Sequence, residues 1–133
     1  KSLKNISKNI IFHEWEGRSN SSILTSCDFA IIPIDLKNKM SAGKPENKLI
    51  NIWKMGVPVI TSNTDSYKRV MNDCNLDLIC ENKNEWVNKL RMLSDDVDLR
   101  ESLAKKAYNY AIENYGQDAV TRRWDEMFNV FFK

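Results

Sequence analysis

The residues best suited to chemistry sit in two stretches of the first half of the chain. One reads His13, Glu14, Trp15, Glu16, Gly17, Arg18. The other runs from Asp35 to Lys48 and holds Lys37, Lys39, Lys44 and Lys48. The lysine-bearing stretch feeds a helix predicted to begin near Pro45, a residue favoured in a first helical turn. A helix start offers backbone N–H groups without intrahelical partners and the positive end of a dipole, so the ligand it suits is a phosphate or diphosphate. A solvated lysine loop with no ligand is the plain alternative. Asn47 and Asn51, four residues apart, share one face of that helix, and their amides suit either ribose hydroxyls or a structural hydrogen bond. His13 is the single histidine of the chain. Trp15 offers a face for a nucleobase or a cap for a sheet edge.

The elements that must position these residues can be read from periodicity. Residues 9–12, 29–34, 57–61 and 76–80 are short continuous apolar runs, the pattern of parallel strands covered on both faces. Residues 21–26, 46–55 (closed by Gly56) and 66–74 have helical spacing between them. This βαβαβαβ order predicts an α/β fold, a Rossmann-like doubly wound parallel sheet of about four strands. Both chemical stretches then follow a strand, where open α/β sheets bind ligands. The second is long for such a connection, and long connections of this kind are usually functional.

Beyond Cys80 the pattern is helical throughout and predicts a C-terminal helical extension. Asn82 with Glu85, and Asp98 with Glu101, have capping-box spacing. Trp86, Leu90 and Leu93 share a face of one helix, and Leu99, Leu103, Ala107, Ala111 and Tyr115 a face of the next, which Gly116 ends. A last helix from about Asp118 carries Val120, Trp124, Phe128, Phe131 and Phe132, a stripe expected to be core, with docking against another domain as the alternative.

Composition narrows the function classes. The chain has 133 residues, enough for one ordinary domain, and a formal net charge of +2, far from a dedicated nucleic-acid binder. Nine of its basic residues against five acidic ones precede Met55, so an anion site is expected in that part. Cys27, Cys74 and Cys80 with one histidine make no standard structural zinc site and fit a reducing, cytoplasmic setting. No apolar run approaches the ~20 residues that span a bilayer. The chain opens at Lys1 directly before a strand-like run, which reads as a single domain, residues 1–133, cut from a longer two-domain protein.

The stretch Ser26, Cys27, Asp28, Phe29, Ala30, Ile31, Ile32, Pro33, Ile34, followed by Pro45, Glu46, Asn47, Lys48, Leu49 and by Gly56, Val57, Pro58, Val59, Ile60, resembles the donor-binding half of GT-B glycosyltransferases, in particular the retaining group 1 (family 4-like) type. The resemblance covers nearly the whole chain from about Asn9. It implies a nucleoside-diphosphate sugar as donor substrate, with no metal or other cofactor. It also implies a glycan or lipid-linked acceptor bound by a missing N-terminal domain, and it allows peripheral membrane attachment of the full-length protein at its cytoplasmic face.

Residues 43–47 would touch sugar and phosphates, making Ser41, Gly43, Lys44 and the amides of Glu46 and Asn47 the donor contacts. Lys48 is a further candidate that suits a carboxylate equally well. The turn at His13, Glu14 and Trp15 would contact the base, and Asn51 the ribose. The family often has two glutamates eight residues apart where this chain has Gly43 and Asn51, and Pro45 stands where it usually offers a backbone N–H. No residue qualifies as a nucleophile or general base. The chain therefore reads as the donor half of a sugar transferase, inactive alone, or as a non-catalytic GT-B-like binding or regulatory module. A phosphoacceptor receiver domain is excluded by the lack of an acidic pair and of a lysine after the last strand.

Overall fold

The computed structural model describes residues 9–14, 16–17 and 20–132. It is a mixed α/β structure in the order α1 (Asn20–Thr25), β1 (Ala30–Ile32), α2 (Lys39–Ala42), α3 (Asn47–Trp53), β2 (Val59–Ser62), α4 (Asp65–Asp73), β3 (Ile79–Cys80), α5 (Lys83–Asp95), α6 (Val97–Tyr115) and α7 (Gln117–Phe131). The three strands form one parallel sheet in the order β1-β2-β3, with Ile31 beside Ile60 and Thr61 beside Ile79.

Two expectations about the sheet change. Residues 9–12 are not a strand: they are coil, and Ile10, Ile11 and Phe12 are exposed. A short apolar run records a tendency to be buried and does not by itself supply the neighbouring strand it must pair with. The described sheet therefore has three strands where about four are expected. Their order is sequential, so the reversal that defines a doubly wound sheet is not among the described strands.

The sheet is short because its sequence stops it. Pro33 follows β1 and has no N–H to extend the ladder. In its place Ser62 fastens the departing chain, its Oγ accepting from the Ile34 amide at 2.8 Å and donating to the Ile34 carbonyl at 3.2 Å. Central β2 is buried along its whole length. Gly56, at φ +76°, makes the turn from α3 into β2, a conformation L side chains rarely adopt.

The core lies between the sheet and the helices, with Leu49, Ile50, Ile52 and Trp53 of α3 all buried. Trp53 meets the Tyr110 ring edge-on at 6.0 Å, which locks α3 against α6. The Asn82 cap is as expected: its Oδ1 accepts from the Asn84 and Glu85 amides, and Glu85 Oε2 accepts from the Glu81 amide at 2.8 Å. The next cap is Asp96, which takes the Leu99 amide at 2.8 Å, and not Asp98, which lies inside the first turn.

Helix α7 departs furthest from expectation. Its aromatic stripe is not core: Trp124 is 53% exposed, Phe131 75% and Phe132 80%, and Ala119 alone is buried on that helix. Trp124 stacks on Phe128 instead, and Phe128 meets Phe132 at a tilt. Amphipathic spacing identifies an apolar face without identifying what covers it.

Candidate functional site

The long connection after β1 is built by local hydrogen bonds. Asp35 Oδ1 accepts from the Lys37 amide, and Asn38 caps α2 by accepting from the Ser41 amide. The chain then passes Gly43, Lys44 and Pro45, pinned by Ser66 Oγ donating to the Lys44 carbonyl at 2.8 Å. Opposite it, the chain leaving β2 turns into α4 under the Thr64 cap, whose Oγ1 accepts from the Tyr67 amide. Both walls sit at the carboxyl ends of their strands.

Between them lies a groove of two lobes. One, about 340 Å³, is lined by Leu36, Lys39, Ala42, Gly43, Asn63, Thr64 and Asp65. The other, about 370 Å³, is lined by Gly43, Pro45, Glu46, Asp65, Ser66 and Arg69. Gly43 and Asp65 belong to both.

Glu46 is the most constrained charge of the groove. It is buried, it precedes α3 as the cap residue without capping it, and its carboxylate turns toward α4 and α6. There Oε1 accepts from Arg69 at 2.6 Å and from the Tyr115 hydroxyl at 3.1 Å. Burial, with the Glu46 hydrogen bond second, pushes the Tyr115 phenol up to about 12, so it donates throughout the ordinary pH range. The Tyr67 phenol is raised as well, by burial first and then by the negative charge of Glu46. The Tyr115 carbonyl accepts from Lys54 Nζ, so this one residue holds both ends of α3.

The expected site residues divide. Gly43 and Glu46 line the groove. Ser41, half-buried, has its amide engaged by Asn38, and Lys44 contributes its carbonyl to Ser66. Asn47 opens α3 at residue 47, two positions past the expected start near Pro45, and the amides of Asn47, Lys48 and Leu49 meet no protein acceptor among the described residues. Lys48 and Asn51 line a different cleft, about 850 Å³, together with Asn20, Leu24, Ile52, Lys54 and Met55. Asn51 is thus not brought beside Gly43 and Glu46. His13 and Glu14 lie in exposed coil and line neither lobe, and Trp15 falls outside the described residues.

Five groove residues from the chain after β2 were not anticipated: Asn63, Thr64, Asp65, Ser66 and Arg69. The available signal was position, since the loop after residue 61 follows a strand as the two chosen loops do. Among the described residues no group of three His, Cys, Asp or Glu gathers as a metal site would require. Burial raises the Cys74 and Cys80 thiols, which makes them poor nucleophiles. Among the described residues no helix is long and apolar enough to cross a membrane. No protein-family model, no curated protein and no solved structure matches the chain.

Proposed function

We propose that this chain is the donor-binding half of a glycosyltransferase that moves a sugar from a nucleoside diphosphate to a glycan or lipid-linked acceptor. The observation that carries the proposal is the two-lobed groove at the carboxyl ends of β1 and β2, the place where α/β sheets take nucleotides. Gly43 at its centre leaves room for a ligand beside the backbone, and Lys39 supplies a cation in one lobe. Next in sequence to Glu46, the Asn47 amide meets no protein acceptor among the described residues and would add a donor for a departing diphosphate, whose developing charge preorganised donors stabilise. The sequence resemblance around residues 26–34 and 45–60 supplies the sugar-transfer class. The chemistry asks for no metal or other cofactor, and the sugar nucleotide is substrate.

The same proposal extends to the sheet. The apolar run 29–34 is written for burial on both faces, yet Ile31 is 51% exposed and β1 lies at the sheet edge. A further strand beside β1, as in a doubly wound Rossmann-like sheet of a two-domain enzyme, would cover it. The acceptor site and any catalytic base belong to that other domain.

A second reading, a non-catalytic GT-B-like module, is favoured by the placement of Lys48 and Asn51 in a separate cleft and by the absence of a second glutamate at Asn51. Calorimetric titration with UDP, GDP and ADP tests the donor proposal. Saturable heat with one of them is expected, and none with any of the three would favour the module.

A further inference from the structure

The two lobes meet at Gly43 and Asp65. Gly43 has no side chain, so Asp65 is the one functional group that a ligand spanning both lobes must pass. Asp65 is exposed, and its carboxylate makes no hydrogen bond or ion pair among the described residues. The other carboxylate of the groove, Glu46, is already satisfied by Arg69 and Tyr115. The Arg69 side chain is 60% exposed and uses one nitrogen on Glu46, which leaves N–H donors facing outward. Ser66, the remaining polar group of this lobe, has its hydroxyl hydrogen on the Lys44 carbonyl and accepts from the Thr64 hydroxyl at 3.3 Å, so it is already engaged on both sides.

A free carboxylate beside a guanidinium with spare donors is what a ring of hydroxyls needs: one hydroxyl donates to the acid and its neighbour accepts from the base. The same free carboxylate repels a ligand carrying a second carboxylate at that position. Resting on the donor reading above, we propose that Asp65 sets the sugar specificity of the groove, accepting a neutral polyhydroxylated ring and rejecting an acidic one. Asp65 also stands in the first turn of α4, where an acid favours the helix. That role acts on stability and leaves the choice between two sugars unchanged, which separates the two.

The test titrates the 133-residue chain and its Asp65→Asn variant by calorimetry, with thermal melts alongside. For whichever of UDP, GDP and ADP binds, three probes are compared: the bare diphosphate, its neutral hexose conjugate and its hexuronate conjugate. In the unaltered chain the hexose conjugate is expected to bind about tenfold tighter than the hexuronate, the scale of one charge-assisted hydrogen bond gained or lost. In Asp65→Asn the two conjugates are expected to bind alike. Arg69→Gln is expected to weaken the hexose conjugate without restoring the hexuronate. If the bare diphosphate binds and the hexose preference survives Asp65→Asn, the specificity role is overturned and the donor groove stands. If no nucleotide binds at all, the donor groove falls and the specificity role with it.

Discussion

Replacing Tyr115 by Phe removes one hydroxyl and leaves the ring packed against Tyr110 and under Arg123. The lost bond is the 3.1 Å donation to Glu46. A hydrogen bond to a charged group contributes about 1.5–3 kcal/mol, and Glu46 keeps its bond from Arg69, so the loss at pH 7 is expected near the lower end, about 1.5 kcal/mol. The pH dependence is more telling. The folded phenol titrates near 12 against 10.0 for an unperturbed one, so above pH 10 the unfolded chain releases a proton the folded chain retains. Stability from this group is therefore complete below pH 10 and is lost as pH rises toward 12. Two units at about 1.4 kcal/mol each set a ceiling, which partial solvent access lowers to about 1–2 kcal/mol. Urea unfolding of both proteins at pH 7, 10 and 11.5 isolates the effect, because other titrating groups cancel in the difference. The gap between them is expected to narrow as pH rises. A constant gap across all three pH values would refute the link between Tyr115 and the buried carboxylate.

Trp53→Ala should cost about 3–5 kcal/mol in urea unfolding, since the side chain is fully buried at the α3–α6 contact. Asp96→Ala should lower stability by about 1 kcal/mol while Asp98→Ala changes it by less than half that, because only Asp96 caps α6. Gly116→Ala should lower the melting temperature more than Gly43→Ala does, since the added Cβ would lie 2.3 Å from the Ile112 carbonyl oxygen against 3.1 Å from the Lys39 oxygen. Trp124→Glu should leave the melting temperature nearly unchanged and reduce any concentration-dependent association seen by light scattering, because that ring lies in an exposed apolar stripe.

What was legible in the sequence was local. The Asn82–Glu85 cap and the Gly56 turn that follows α3 both follow from local spacing, and the structure contains them. Where two local signals compete, spacing fails: Asp96 and Asp98 both precede an apolar stripe, and only the extended backbone at Asp96 decides between them. The remaining misses are tertiary. Glu46 binds a guanidinium 23 residues away and a phenol 69 residues away, a pairing no pattern within a helix reveals. The run at residues 9–12 and the stripe on α7 show apolar character correctly, but burial also needs a partner surface. Lys48 and Asn51 sit on α3 as predicted, yet helical rotation carries them into another cleft than Gly43.

The most direct test of the donor groove is amide shift mapping by ¹⁵N–¹H correlation spectra during titration with the nucleoside diphosphate that gives heat. The account predicts saturable shifts at Gly43, Asn63 and Asp65. Shifts confined to Lys48, Asn51 and Met55, or none that saturate, would contradict it.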